Sequence, residues 1–438
     1  MIPIFSDGSA EFGASLSRLV GRGADDLGAV EQVVRAIVAD VRASGDEAVL
    51  RYVERFERRR PEPLVIRSFD GEGALSRLEP SLRTAMTLAA ARIERYHAHQ
   101  RDAGFQYEED GVMLGMRVRP LGRVGVYAPG GKARYPSSVL MAAIPARVAG
   151  VRDIVLATPA PDDRLLAAAF LAGVTSILDA GGAQAIAALA YGTASLGRVD
   201  KIVGPGNIYV TSAKRMVFGD VDIDGLAGPS EILVLADGAA DPVVVAADLL
   251  SQAEHDEDAC CVLVTTSMAL AEAVVRELPV QLAALSRETI AEASLRTRGK
   301  VLVVPTLARM AEVASLIAAE HVAYHVEDAE ALFVRVEGSG AALLGRHSPV
   351  AAGDYFAGPS HVLPTGGAAR FGSPLGVYDF LVRASVIRYS EAALLRDGPH
   401  IACFARAEGL DAHARAVEVR MERLSAFAGS VKGSASEV

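Results

Sequence analysis

From about residue 122 to residue 304 the chain alternates short β-branched runs with stretches of helical period, and this rhythm limits the possible folds more than any other feature. Candidate strands at 124–127, 154–157, 177–179 and 202–204 interleave with helical patterns at 136–148, 164–172, 183–196 and 207–217. A second set of strands, 232–236, 261–265 and 301–304, alternates with helices near 242–254, 268–278 and 308–320. Parallel strands need crossovers of a dozen or more residues, usually helical, so the rhythm predicts doubly wound parallel sheets. With 438 residues the chain exceeds what one core of ~250–300 residues holds. The expected fold is α/β, with two Rossmann-like doubly wound units, a helical N-terminal arm and a small C-terminal dimerising segment.

The flanks are less regular. The first ~120 residues read as mostly helix, with apolar spacing over 30–56 and 82–100. His97 and His99, two apart, cannot share a helix face and read as surface residues. The tail from about 375 is mixed and closes with a helix over 411–424. The expected division is an arm at 1–25, a first domain at 26–120 plus 232–375, a second at 121–231, and a C-terminal segment at 376–438.

Composition excludes several classes. A hydrophobic fraction of 51% with 22% charged residues describes a packed chain, not a disordered one. A net charge of −10 argues against nucleic-acid and anionic-membrane partners. Apolar runs are broken well short of the ~20 residues a membrane helix requires. No secretory signal is visible at the N-terminus. Cys260, Cys261 and Cys403 form a poor disulfide framework, so a reducing cytoplasm is expected.

No Gly-x-Gly-x-x-Gly fingerprint follows any strand. Three other glycine-rich turns do occur: Tyr127-Ala128-Pro129-Gly130-Gly131-Lys132, Gly204-Pro205-Gly206-Asn207 and Gly228-Pro229-Ser230-Glu231. Singly each reads as a tight turn. Two of them at strand-to-helix junctions in neighbouring β-α units favour a ligand crevice at strand carboxyl ends.

Polar residues gather at other junctions. Gln252 and His255, spaced i,i+3, share a face at a helix end. Glu320-His321 closes an apolar helix, and reads either as a solvated cap or as an acid/base couple. Asp354, Tyr355 and His361 lie in a segment without helix or strand period, of the kind where function concentrates. His413 falls in the first turn of the last helix, where the dipole favours a neutral ring. Taken together, Gln252, His255, Asp354 and His413 suit Zn²⁺ with positions left open, although no local metal motif joins them.

Over about residues 20–425 the chain resembles the histidinol dehydrogenase family. The matching segments include Tyr135-Pro136-Ser137-Ser138-Val139-Leu140-Met141, Gly204-Pro205-Gly206-Asn207-Ile208-Tyr209-Val210, Leu250-Ser251-Gln252-Ala253-Glu254-His255, Glu320-His321, Gly353-Asp354-Tyr355 and Glu408-Gly409-Leu410 with His413, in the family's order. The resemblance implies a cytoplasmic homodimer that oxidises L-histidinol through histidinaldehyde to L-histidine in two NAD-dependent steps, the last of histidine biosynthesis. It implies one Zn²⁺ per subunit, held by Gln252, His255, Asp354 and His413, the last from the partner subunit. It implies substrate contacts from Ser230, Gln252, His255, His321, Asp354, His361, Glu408 and His413, and NAD contacts from Tyr127, Gln184 and Asn207. In this reading Glu320 activates water and His321 is the base. Ser360, Val350 and Asp256 depart from the family's usual residues. The competing reading is a related zinc- and NAD-dependent dehydrogenase of another polar alcohol.

Overall fold

The computed structural model describes residues 2–22, 28–130 and 134–433. Gly131 and Lys132 of the first glycine-rich turn lie outside the described residues. Two compact units emerge. The larger comprises Met1–Arg101 and Pro120–Phe380, and the smaller Asp102–Arg119 and Leu381–Val438.

In chain order, the strands among the described residues begin with β1 (Ile4–Ser6), β2 (Val65–Ile66), β3 (Phe105–Glu109), β4 (Val112–Pro120) and β5 (Arg123–Tyr127). There follow β6 (Asp153–Ala157), β7 (Ser176–Leu178), β8 (Lys201–Val203), β9 (Asp222–Ile223) and β10 (Glu231–Ala236). The last are β11 (Cys260–Thr265), β12 (Lys300–Val303), β13 (His321–His325), β14 (Ala341–Leu344) and β15 (Leu381–Tyr389).

The larger unit holds two six-stranded sheets, ordered β1-β12-β11-β10-β13-β14 and β2-β7-β6-β5-β8-β9. The first is parallel throughout. The second is parallel except for β2 on β7. In each sheet the earliest strand, β1 or β2, lies at an edge; the chain then returns at a central strand, β10 or β5, builds outward toward that edge, and crosses back to the other side. Both six-stranded sheets thus have Rossmann-like α/β connectivity, and the order reverses between β10 and β13 and between β5 and β8.

Strand chemistry accounts for the layering. Strand β10 is buried along its whole length. Ile232, Val234 and Ala236 pack with Val245, Leu249 and Val274 on one face, while Leu233 and Leu235 meet Met310, Val313, Phe12 and Leu19 on the other. Near-continuous apolar strands covered by helices on both faces are the signature of parallel sheets.

Several expected boundaries shift. Residues 101–120 are not helical: β3 and β4 form an antiparallel hairpin across Asp110-Gly111, with Gly111 at φ +79°. An Asp-Gly pair between alternating segments is a strong hairpin signal. Helix Gly28–Glu57 and strand β2, expected with the first domain, pack on the β5 sheet, because Val34, Ile37 and Val41 join the core of Val155, Leu178 and Ile202. The N-terminal residues expected to form an arm instead supply β1, the edge strand beside β12. Helix Gly182–Tyr191 stops short of the expected 196, at Gly192 with φ +75°. His97 is buried, not on the surface, and its Nδ1 lies 2.8 Å from the Ile93 carbonyl oxygen. The smaller unit has more helix than expected: Glu391–Ala407 and Asp411–Gly433 accompany the sheet β15-β4-β3.

Candidate active site

The cluster around His321 sits at the amino ends of β10 and β13, opposite the edge where doubly wound sheets usually bind ligands. Local chain chemistry puts it there. Helix Pro242–Ala253 is started by Asp241, whose carboxylate accepts the Val243 N–H at 2.9 Å, with proline in the first turn. Its last turn delivers Gln252. His255 lies just past the end, its N–H donating to the Gln252 carbonyl at 3.1 Å. Helix Leu307–Ile317 ends at Ala318, which takes the left-handed conformation at φ +45°. That break, three residues earlier than the expected helix end at 320, sends Glu320 and His321 into the sheet. Both are buried, which removes the solvated-cap reading. Asp354 lies on a short helix, Val350–Tyr355, where no helical period was expected.

His321 is the hub. Its Nδ1 is 2.8 Å from the Gln252 amide nitrogen, 3.0 Å from the Glu231 carbonyl and 3.5 Å from Glu320 Oε2. Its Nε2 is 3.2 Å from Asp354 Oδ1. Burial disfavours a charged ring, but the Glu320 and Asp354 carboxylates outweigh it and push the imidazole up to about 10. Burial likewise opposes ionisation of Asp354, yet His321, His361 and His255 hold its carboxyl below the usual range. His361 donates Nδ1–H to the Asp354 carbonyl at 2.9 Å, and burial keeps its own pKa low, so Nε2 is left as an acceptor.

Gln252 bears on metal binding. It is 1% exposed; its amide nitrogen lies 2.8 Å from His321 Nδ1 and donates, at 3.4 Å, to the Glu231 carbonyl. Its Oε1 is buried with no hydrogen-bond partner. Buried polar atoms are nearly always satisfied, so an orphaned acceptor beside a carboxylate and two imidazoles fits a cation. No group of three His, Cys, Asp or Glu arranged for a metal occurs among the described residues. The larger unit therefore offers an amide, an imidazole and a carboxylate in Gln252, His255 and Asp354. His413 and Glu408 belong to the smaller unit, both exposed.

His255 also lines a cavity of about 510 Å³, within the range of small-molecule sites. Its walls combine Met86, Ile93 and Met141 with Arg134 and Tyr355. Ser230 precedes β10, partly exposed, and its carbonyl accepts the Cys260 N–H at 2.9 Å. Ser360, a departure from the family's usual residue, is structural: it donates to the Met141 carbonyl at 3.1 Å and accepts the Val362 N–H at 3.2 Å. Cys260 and Cys261 stay thiols, since burial pushes Cys260 up to about 11 and Cys261 higher still.

A second group of candidate residues lies at the carboxyl ends of β5 and β8. Tyr127 closes β5, and its buried hydroxyl accepts the Gly182 N–H at 3.0 Å. Gln184, also buried, follows in the first turn of helix Gly182–Tyr191. Asn207 caps helix Ile208–Val217 by accepting the Tyr209 and Val210 N–H groups at 3.1 and 3.2 Å. Gly204 lets the strands approach: at φ +116°, a Cβ there would sit 2.1 Å from the Tyr127 carbonyl oxygen. A backbone cradle ending on a helix N-terminus fits a dinucleotide phosphate.

Sequence reasoning missed Glu231 and Arg22, a buried pair bonded at 2.6 and 2.7 Å. The available signal was a carboxylate opening the otherwise apolar run Glu231-Ile232-Leu233-Val234-Leu235-Ala236, since buried charges need partners.

Known proteins agree with this architecture. The family description "Histidinol dehydrogenase" matches residues 20–421. A histidinol dehydrogenase of Bacillus subtilis (strain 168) is 50% identical over 417 residues, covering 94% of this chain and 97% of that protein. One from Syntrophotalea carbinolica is 48% identical over 429 residues, covering 96% and 100%. The crystal structure of histidinol dehydrogenase from Elizabethkingia anophelis superposes with a TM-score of 0.90 at 34% identity, covering 97% and 99%. With its fold, its length and its ordered motifs all matched, this chain belongs to the histidinol dehydrogenase family of oxidoreductases and carries that family's role in histidine biosynthesis.

Proposed function

We propose that the His321 cluster is the zinc and substrate site of the enzyme, and that the residues at the carboxyl ends of β5 and β8 hold NAD. The observation that carries the reading is the orphaned, buried Gln252 Oε1, on a side chain that meets His321, whose other ring nitrogen meets Asp354. Gln252, His255 and Asp354 would hold Zn²⁺ with the partner subunit's His413. When bound, the metal would orient L-histidinol and fix its geometry. NAD would accept a hydride in each of two oxidations.

The chain's own residues handle the protons. His321 takes the hydroxyl proton as the alcohol loses its hydride and becomes an aldehyde. A cation at Asp354 competes with the proton that this carboxylate helps hold on His321, which favours the neutral ring a base needs. Glu320 then takes a proton from water as it adds to the aldehyde. The hydrate so formed loses the second hydride and leaves as the carboxylate. Glu320 Oε2 is anchored on the Glu231 N–H at 2.8 Å, which fixes the side chain and leaves the other oxygen for water. Ser230, His361 and Glu408 hold the substrate, and a closed site protects the aldehyde between steps.

The reading includes a cytoplasmic homodimer. No helix among the described residues is long and apolar enough to cross a membrane. The smaller unit exposes Phe105 (58%), Ile387 (66%) and Phe404 (71%), apolar side chains that a second copy would cover. Mixing inactive His413→Asn with inactive Glu320→Gln tests the shared site. Random pairing in a twofold dimer should restore roughly a quarter of wild-type activity, since one site per heterodimer is intact. No restoration under subunit exchange would place His413 in its own chain's site or outside it.

The NAD site carries its own prediction. Gly204→Ala forces a Cβ against the Tyr127 carbonyl in a left-handed conformation, at a cost of about 1–3 kcal/mol or more. The KM for NAD should rise at least several-fold while zinc content stays unchanged. An unaltered KM for NAD would remove this loop from the cofactor site.

A further inference from the structure

Beneath the cluster lies a buried ion pair that the proposed chemistry does not use. Arg22 follows the N-terminal helix Ala10–Val20, whereas Glu231 opens β10. Their side chains are 8% and 6% exposed and meet in a two-point contact: Nε to Oε1 at 2.6 Å and a terminal nitrogen to Oε2 at 2.7 Å. The Glu231 carboxylate has two further partners, the N–H of Glu320 at 3.2 Å and the N–H of Gly366 at 2.9 Å. Its own backbone completes the frame. The Glu231 N–H donates to Glu320 Oε2, while the Glu231 carbonyl lies within reach of both His321 Nδ1 and the Gln252 amide.

One residue therefore ties together Glu320 at the entry to β13, the segment after His361 and the helix end bearing Gln252. A carboxylate this deep keeps its geometry only while its cation is present, because an unpaired buried charge rotates toward water or takes up a proton. A bidentate guanidinium fixes the plane of the carboxylate, which a lysine ammonium cannot do. We propose that Arg22 is a positioning residue for the aldehyde-to-acid oxidation: through Glu231 it holds Glu320 in the orientation that presents its carboxylate to water. This rests on the reading of Glu320 as the water-activating group.

The consequence is selective. His321 keeps its contacts with Gln252 and Asp354 without Arg22, so alcohol oxidation is spared, whereas hydrate formation depends on where Glu320 points. The test compares two rates in Arg22→Met and Arg22→Lys, each zinc-loaded. The first is the initial NADH release from L-histidinol, and the second is kcat with L-histidinaldehyde and NAD. For Arg22→Met the ratio of second to first should fall ~10–100-fold, the usual loss when a group supporting a site residue is removed. The KM for histidinol should stay within a few-fold and the zinc content should be unchanged. Arg22→Lys should fall between Arg22→Met and wild type, and it serves alone should Arg22→Met not fold. An unchanged ratio in the folded variants, or equal loss of both rates, overturns the proposal and leaves only a structural pair. Glu320→Gln run alongside separates the two claims. If it retains aldehyde oxidation, the reading of Glu320 fails; if it loses that step while the Arg22 variants keep it, only the role of Arg22 fails.

Discussion

Glu320→Gln is expected to stop histidine formation while leaving the protein folded, zinc-loaded and able to bind histidinol. The amide has the shape of the carboxylate and can still accept the Glu231 N–H that now reaches Oε2 at 2.8 Å. The fold and the His321 surroundings therefore survive. What disappears is a proton acceptor, and removing a positioned general base costs typically ~10²–10⁴-fold. The loss should be greatest with histidinaldehyde as substrate. Glu320 is also one of the two carboxylates that favour a proton on His321, so the first oxidation changes far less than the second. Steady-state turnover of the aldehyde within a few-fold of wild type would remove Glu320 from the mechanism.

Gln252→Ala should release the metal. The substitution deletes a fully buried oxygen that lacks a protein partner, and it strips His321 Nδ1 of an amide contact at 2.8 Å. Removing a group that merely orients a metal ligand costs ~10–100-fold in affinity, and loss of a ligand should cost at least that. The fold should bear the change with a penalty of about 1–3 kcal/mol, because one buried polar group goes and the Glu231 carbonyl keeps a neighbour in His321 Nδ1 at 3.0 Å. Zinc per subunit after dialysis is the readout, with circular dichroism to confirm folding. Gln252→Glu, which keeps an oxygen at the same reach, should retain the metal. One zinc per subunit surviving in the alanine variant would show that Gln252 is not a ligand.

The two sheets could be read from sequence because their signal is local. Each strand is a short apolar run and each crossover a helical period, so the rhythm from 124 to 304 and the strand positions within it follow from spacing alone. Connections that depend on distant partners were hidden. Strand β2 has two residues and gains its identity from β7, more than a hundred positions away. The surface reading of His97 weighed only its spacing from His99, whereas its burial depends on what packs over its helix. The helix before Glu320 looked longer than it is because Ala318, the residue that breaks it, carries none of the usual stop signals.

The site was harder still. Gln252 and His321 are 69 residues apart, and His321 and Asp354 are 33 apart, so no motif joins them; residue chemistry grouped Gln252 with Asp354, and family resemblance added His321. Chemistry suggested a ligand set, whereas the fold brings Gln252 and Asp354 to His321 at the amino ends of β10 and β13. Tyr127 and Gly204 lie at the carboxyl ends of β5 and β8, where the order reverses, whereas the His321 cluster is built from helix ends and strand starts. Arg22 and Glu231, 209 residues apart, had no sequence signal as a pair.

The central claim is that one zinc-organised site carries out both oxidations of histidinol with NAD. Counting NADH formed per L-histidinol consumed, before and after treatment with a chelator, tests it most directly. The account predicts two NADH per histidinol, loss of that activity on chelation and its return on adding Zn²⁺. A yield of one NADH, or full activity in protein shown to be free of metal, would contradict it.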